Sequence, residues 1–542
     1  MADEHDIRIR LETLNEIGQA LSSVRDFDSL MERIVEAARA FTQADGVTFY
    51  RIHEGQLAFD LLRNFSLGLH KGGSAGEPID LPQIPLHHAD GSENHSLVVA
   101  HAALAGRTVN VVDAYTEPGF DFSGTRAFDE RTGYRSQSFL TVPMKDHLGA
   151  VIGVLQLINA SGPTGSVRAF THADQELIES LASQAAIALN NRRLLEQMAE
   201  LFESLIKLIN TALDEKSPYT GGHCERVPVL TMMLAEAAAQ TIDGPLAGFD
   251  MSDADRYELK IAGLLHDCGK ITTPVHVVDK ATKLETLFDR IHLIDSRFEL
   301  LLCDAKIALL QGDINDETYQ SRTAQLRADR EFLRRSNIGG EFMSDADVAQ
   351  IERIAAWPWL DMDGKQRTLL SAEEAMNLSI RRGTLNAAER EIINNHIVMT
   401  LRMLEALPWP AHLSRVPEYA GGHHERMDGK GYPRGLRREQ MSIPARVMGI
   451  ADVFEALTAP DRPYKSAKTL SESLDILGRM KVGEHIDPDL FDVFLRERVY
   501  LSYALRFLDP KQIDRIDWHK VPGVSAELAD YLIACESRDA KM

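Results

Sequence analysis

The chain has 542 residues, too many for one hydrophobic core, so roughly two to four domains are expected. Its apolar share of 44% and charged share of 26% are those of a soluble globular protein, and a formal net charge of −22 argues against a broad face for a polyanion such as DNA. No apolar run nears the ~18 residues of a membrane helix. The start MADEHDIRIR is no secretory signal, and four cysteines (Cys224, Cys268, Cys303, Cys535) lack pairing or zinc spacing, which suits a reducing cytoplasm.

Residues 8–42 read as helix, with Leu11, Leu14, Ile17 and Leu21 at helical spacing. The period then changes to that of strands at 46–52 (GVTFYRI) and 57–64 (LAFDLLRN), joined by a short polar turn. Residues 65–107 read as loop-rich. Strands resume at 108–115, 138–146 and 149–159, with a hairpin turn at DHLG, 146–149. This defines an α+β domain over 1–175.

From Asp174 the pattern turns helical. Ile178, Leu181, Ala185, Ala188, Arg192, Leu195, Ala199, Phe202, Ile206, Ile209 and Leu213 alternate steps of three and four. Such a heptad seam over 176–213 predicts a two-stranded coiled coil and hence a homodimer; the alternative is one long helix packed on its own domain. After Pro218 the chain is almost wholly helical. Gly/Pro loops interrupt it at 241–249, 336–341, 357–365 and 421–436. An all-α domain over 214–505 is expected, then a helical tail over 506–542.

Metal-ligand residue types cluster in this helical part. They are His223 in YTGGHCERV, His266 and Asp267 in LLHDCGK, His396 in REIINNHIVM, His423 and His424 in GGHHERMDGKGYP, and Asp452 in MGIADVFEALT. A lone histidine on a helix is more often a satisfied or exposed side chain than a ligand. His87 and His88, in LHHADG, show the bland case: they lack supporting acids and read as solvated loop. An unpaired carboxylate in an apolar helix costs several kcal/mol, so Asp452 and Asp267 each call for a cation. Five imidazoles and two carboxylates exceed one tetrahedral site. They suit two six-coordinate ions sharing a carboxylate, and Asp267, adjacent to a ligand of another type, is the natural bridge. An all-N/O set without thiolate favours iron, or manganese, over structural zinc. Two metals activate a water and clamp an in-line displacement at phosphorus, which is phosphodiester hydrolysis.

HDCGK followed by HHERMDGKGYP closely resembles the HD-GYP phosphodiesterases, a branch of the HD metal-dependent phosphohydrolases, over roughly 205–280 and 390–500. The resemblance implies hydrolysis of cyclic di-GMP to pGpG, with onward cleavage to GMP a further option. It places the metal ligands on His223, His266, Asp267, His396, His423, His424 and Asp452, and the phosphate-contacting lysine on Lys270. The signature Gly-Tyr-Pro is Gly431, Tyr432 and Pro433, and the basic RPYK that approaches substrate matches Arg462 and Lys465. Some relatives hold a third metal through a Glu one turn before the first histidine. Here that slot is Tyr219, so two metals are expected. Residues 281–385 are a mostly helical insertion between two ligand segments: a lid, a dimer contact or solvated decoration. His276 and His292 near its start are not expected to be ligands. The alternatives within this reading are 3′,3′-cyclic GMP-AMP as substrate, or a silent cyclic di-GMP receptor.

The N-terminal part resembles a GAF domain of the cyclic-nucleotide-binding type through AFDERTGYRSQSFLTVPMKDHLGAVIGVLQLINA and FTHADQELIESLASQAAIAL. The family's ligand signature begins Asn-Lys and continues to Phe-x-x-x-Asp-Glu. This chain has Asn159, then Ala160 for Lys, then Phe170, Asp174 and Gln175 for Glu. The resemblance implies a small-ligand sensor, with Asn159, Phe170 and Asp174 as its signature residues; a pure dimerisation module is the alternative.

Overall fold

The structure is a computed structural model, and it describes residues 27–73, 76–162, 165–217, 222–340, 342–361, 363–459 and 467–539. It divides into two compact units, Met1–Phe202 and Glu203–Met542.

The first unit is built on an antiparallel sheet. Helix α1 (Phe27–Thr42) leads into β1 (Ala44–His53) and β2 (Gln56–Asn64). These two form a hairpin across Glu54 and Gly55, both at positive φ, the conformation that a tight two-residue turn demands. Then come β3 (Leu69–Gly72), β4 (Ile84–Pro85), α2 (Val98–Ala105), β5 (Val109–Val111), α3 (Ser123–Thr132), β6 (Phe139–Lys145), β7 (Val151–Ser161) and β8 (Val167–Arg168). The strand order is β3-β2-β1-β7-β6-β5, with β4 on β2 and β8 on β7. Alternation in β1 sends Val47 and Phe49 to one face, against Ile34 and Ala38 of α1 and Ile178 and Leu181 further on. Tyr50 faces the other side and packs with Leu57, Val154 and Val99, Ala100 and Ala103 of α2.

Most strands read from the sequence are present, and the 146–149 turn closes β6 onto β7, with Asp146 Oδ1 accepting from the backbone N–H of Leu148 and Ala150 (both 2.9 Å). The loop-rich 65–107 stretch also holds β3, β4 and α2, and the 108–115 strand shortens to Val109–Val111. The start of the predicted 8–42 helix lies outside the described residues.

Helix α4 (His172–Lys216) is continuous. Its early positions Ile178, Leu181 and Ala185 are buried, as are Ile206 and Leu213. Leu195 and Ala199 of the predicted seam are exposed, and so are Leu194, Met198, Leu201, Leu205 and Leu208. The steps of four, three, four and three from Leu194 to Leu208 keep the heptad rhythm one position away from the seam read off the sequence.

In the second unit, α5 (His223–Ala239) and α6 (Asp253–Leu265) pack together. A short 3-10 turn (Cys268–Thr272) follows. Residues 281–385 contain α7 (Ile291–Gln311), α8 (Asp316–Asn337), α9 (Asp345–Ala355), a two-stranded hairpin of β9 (Pro358–Leu360) and β10 (Gln366–Thr368), and α10 (Ala372–Leu378). They bury a core of their own around Ile294, Phe298, Leu326, Leu333 and Ile354. The chain continues as α11 (Ala387–Glu405), α12 (Val416–Gly421), α13 (Ile443–Thr458), α14 (Leu470–Val482), α15 (Pro488–Arg496), α16 (Val499–Phe507) and α17 (Ala526–Asp539).

Candidate metal centre

His223, His266, Asp267, His423 and His424 sit where an element begins or ends, and His396 and Asp452 lie within helices. Gly222, at positive φ, starts α5 and puts His223 in its first turn. A Ser252–Asp255 capping box starts α6, which delivers His266 at its end. Asp267 then leaves helical geometry and opens the 3-10 turn. Gly269 lets that turn lie against α11: a Cβ there would fall 2.0 Å from the His396 carbonyl oxygen, and the Gly269 N–H donates to Thr400 Oγ1 (2.9 Å). Asn386 and Glu389 form the capping box of α11, which carries His396. His423 and His424 follow the end of α12, and Asp452 lies in α13.

All seven side chains converge. Their donor atoms form two groups, His223, His266, Asp267 and Asp452 in one, and His396, His423 and His424 in the other. Asp267 joins them. Its Oδ2 lies 3.2 Å from His223 Nε2 and 3.3 Å from His266 Nε2, while its Oδ1 lies 3.3 Å from His396 Nε2 and 4.0 Å from His423 Nε2. Asp452 Oδ1 lies 3.3 Å from His223 Nε2, and His424 Nε2 lies 3.1 Å from His396 Nε2.

The imidazoles are oriented from behind. Nδ1–H donates to the Gly263 carbonyl from His266 (2.7 Å), to Ile393 from His396 (2.5 Å) and to Ala420 from His423 (2.6 Å). This is the tautomer that leaves Nε2 as a lone pair for a cation. His223 Nδ1 bonds the carboxylate of Glu455, which Arg226 Nε also holds (2.7 Å). Glu455 was not picked out from the sequence. Its one signal there is its place three residues after Asp452 on the same helix.

Burial pushes the His423 and His424 imidazoles down, His424 to about 4, so both keep free lone pairs at neutral pH. Burial works against ionised Asp267 and Asp452 as well. Lys270 and the imidazoles around Asp267 outweigh it, as His223 and His266 do for Asp452, and both carboxyls fall well below the ordinary range. At this centre, Asp267 Oδ1 and His423 Nε2 are buried without a hydrogen-bond partner among the described residues. Lone pairs aimed inward without donors are what a bound cation would satisfy, so the donor set fits divalent metal. The nearby thiols do not compete: burial holds Cys224 up at about 12 and Cys268 at about 11.

Lys270 Nζ lies 2.5 Å from Asp267 Oδ2. The 425–436 loop folds round the buried carboxylate of Glu425, which accepts from the backbone N–H of Arg434 (2.7 Å) and Leu436 (2.9 Å). Tyr432 stacks on His424, with centroids 4.8 Å apart at 21°, so it borders the centre. Arg462, Lys465 and Tyr219 lie outside the described residues. His87 and His88 are exposed.

The GAF-signature residues are far apart in role. Asn159 accepts from the backbone N–H of Gln137 (2.7 Å) and Ser138 (3.2 Å) and donates to Tyr134 Oη (2.9 Å) and the Arg135 carbonyl (2.7 Å). Phe170 is core. Asp174 accepts from Thr171 N–H (2.8 Å) and pairs with Arg168 (2.5 Å), which supplies the cation that Ala160 does not.

Fold and site together fit a GAF domain followed by HD domains with a candidate metal centre. Family models agree: a GAF domain matches 26–189, and HD domain models match 220–348 and 371–490. Among similar proteins, the chain is 40% identical over 117 residues to the 3'3'-cGAMP-specific phosphodiesterase 1 of Vibrio cholerae, covering 21% of this chain and 26% of that one. It is 25% identical over 289 residues to the 3'3'-cGAMP-specific phosphodiesterase 3 of the same organism, covering 53% and 37%. It is 34% identical over 117 residues to the cyclic di-GMP phosphodiesterase of Thermotoga maritima, covering 22% and 31%. The chain thus spans well under half the length of these relatives.

Proposed function

We propose that this chain is a metal-dependent phosphodiesterase that hydrolyses cyclic di-GMP to pGpG, with its GAF domain as the regulatory sensor. The observation that carries the reading is Asp267, whose two oxygens each face a separate set of imidazoles. His223, His266, Asp267 and Asp452 would hold one ion, and His396, His423, His424 and the other Asp267 oxygen a second, as iron or manganese. Bound there, such ions supply Lewis acidity and lower the pKa of water.

The chain's own groups do the rest. Lys270, Arg462 and Lys465 neutralise phosphate charge in a molecule that is acidic overall. Tyr432 and the loop folded on Glu425 form the rim on which the substrate lies. Helix α4 joins two copies into a homodimer and carries the state of the GAF domain toward the site. A cytoplasmic location fits the four unpaired cysteines, and no helix among the described residues is long and apolar enough to cross a membrane.

The names of two similar proteins support a second reading, in which the substrate is 3′,3′-cyclic GMP-AMP. One assay separates the two. The protein is purified without oxygen, its metal content measured, and turnover of both dinucleotides followed by chromatography, including the step from pGpG to GMP. Absence of bound metal together with no turnover after iron or manganese is added would sink the enzyme reading. Asp267→Ala should abolish turnover of whichever substrate is preferred.

A further inference from the structure

Helix α4 ends against the candidate centre. Lys216, its last residue, sends its ammonium to three backbone carbonyls: Lys270 (3.0 Å), Ile271 (2.5 Å) and Thr273 (2.6 Å). An ammonium has three donors, so all are used. The three carbonyls belong to the end of the 3-10 turn that begins just after Asp267; the Lys270 carbonyl also accepts the Thr273 N–H (3.1 Å), and the carbonyls at such a C-terminal end attract a cation. The next residue, Ser217, donates through Oγ to Asp279, which ends the short helix Val275–Val278 that follows this turn. Leu213, one helical turn back, lines a small gap with Cys224, Asp267 and Lys270. Beyond Ser217 only five residues separate the helix from His223. One helix end therefore grips the turn bearing Asp267 and Lys270 and leads directly into the first histidine.

We infer that Lys216 is a positioning residue: it fixes the Asp267–Lys270 turn, and through it a displacement of α4 moves both groups. This rests on the phosphodiesterase reading and adds to it the residue by which the helix sets the site. A packed turn held by three bonds follows the helix as a unit. A slide of α4 by a fraction of its 1.5 Å rise per residue shifts the Lys270 carbonyl, and with it the Lys270 amine that touches Asp267.

The test uses the full-length, metal-loaded protein as wild type, Lys216→Met and Lys216→Arg. Hydrogen exchange followed by mass spectrometry reports on peptides covering 266–279, with α5 peptides as the internal control. Lys216→Met should speed exchange in 268–273 and leave α5 unchanged. It should also lower kcat on the preferred dinucleotide roughly 10–100-fold at nearly constant KM, as a small misplacement of catalytic groups does. Lys216→Arg, which keeps the donors, should restore most of both. Unchanged exchange in 268–273, or equal loss in the Met and Arg variants, would overturn the inference. If Lys216→Met does not fold, Lys216→Gln takes its place with the same criteria. If the wild type turns over neither dinucleotide, the proposed function fails while the exchange result still decides the role of Lys216.

Discussion

Glu455 offers the sharpest test of how the centre is held. It is almost wholly buried and serves two donors at once, His223 through one oxygen and Arg226 through the other. Glu455→Gln preserves shape but removes the charge and turns one acceptor into an NH2 group. The single remaining oxygen can serve His223 or Arg226, not both, so one buried donor goes without, at a cost of about 1–3 kcal/mol. Loss of such an outer carboxylate lowers metal affinity about 10–100-fold, or about 1.4–2.7 kcal/mol. The loss should fall on one ion only, because His396, His423 and His424 take their support from Ile393, Ala420 and the 425–436 loop. Metal titration of apo protein, read by elemental analysis after gel filtration, should show wild type retaining two ions per chain and Glu455→Gln retaining one at limiting metal. Two ions held with wild-type affinity in Glu455→Gln would refute the argument that Glu455 sets His223.

Gly431→Ala puts a Cβ 2.4 Å from the Arg426 nitrogen and 2.5 Å from Glu425 Cα, both backbone atoms that must move. It should cost about 1–3 kcal/mol in a thermal melt and reduce turnover by displacing Tyr432 from His424. In the GAF domain, burial pushes the Asp174 carboxyl up, but Arg168 and Thr171 outweigh it and hold it below the ordinary range. A depressed carboxyl stabilises above its unfolded value of about 3.9 and loses that contribution as pH falls through the folded value. Asp174→Asn should therefore lower the melting temperature at pH 7 and flatten its decline in acid; an unaltered acid limb would count against the Arg168 pair. Leu201→Glu with Leu205→Glu should weaken self-association in sedimentation experiments if the exposed stripe of α4 is the dimer seam, and unchanged association would exclude it.

How much of this was legible in the sequence depends on the range of each interaction. Hairpins closed by local turns, such as 54–55 and 146–149, could be read directly. Helix α2 could not: VVAHAALA is apolar on nearly every side and only two turns long, so it shows no helical period. The heptad rhythm of α4 was legible, but not which stripe stays free. Ile178, Leu181, Ile206 and Leu213 are taken up in local cores, and this leaves the adjacent stripe open. The seven ligand candidates were legible as residue types whose burial needs a cation. Glu455 was not, since its meaning comes from His223, 232 positions away. The cation missing at Ala160 was likewise supplied elsewhere, by Arg168.

The 281–385 insertion shows why a long interruption can leave such a centre intact. Its helicity was legible, but its independence was not, because that rests on a private core drawn from four helices and the loops between them. Its two ends are clasped where it leaves and rejoins the site. Lys280 Nζ bonds both oxygens of Glu389 (2.7 and 2.8 Å), and Thr384 Oγ1 donates to the Lys280 carbonyl (3.0 Å). Glu389 also accepts from the Asn386 N–H at the start of α11 (2.9 Å). The carboxylate that closes the insertion therefore also caps the helix that carries His396. With its ends tied at that point, the insertion can add a subdomain between Asp267 and His396 while their separation is fixed by the Gly269–Thr400 contact rather than by the chain between them.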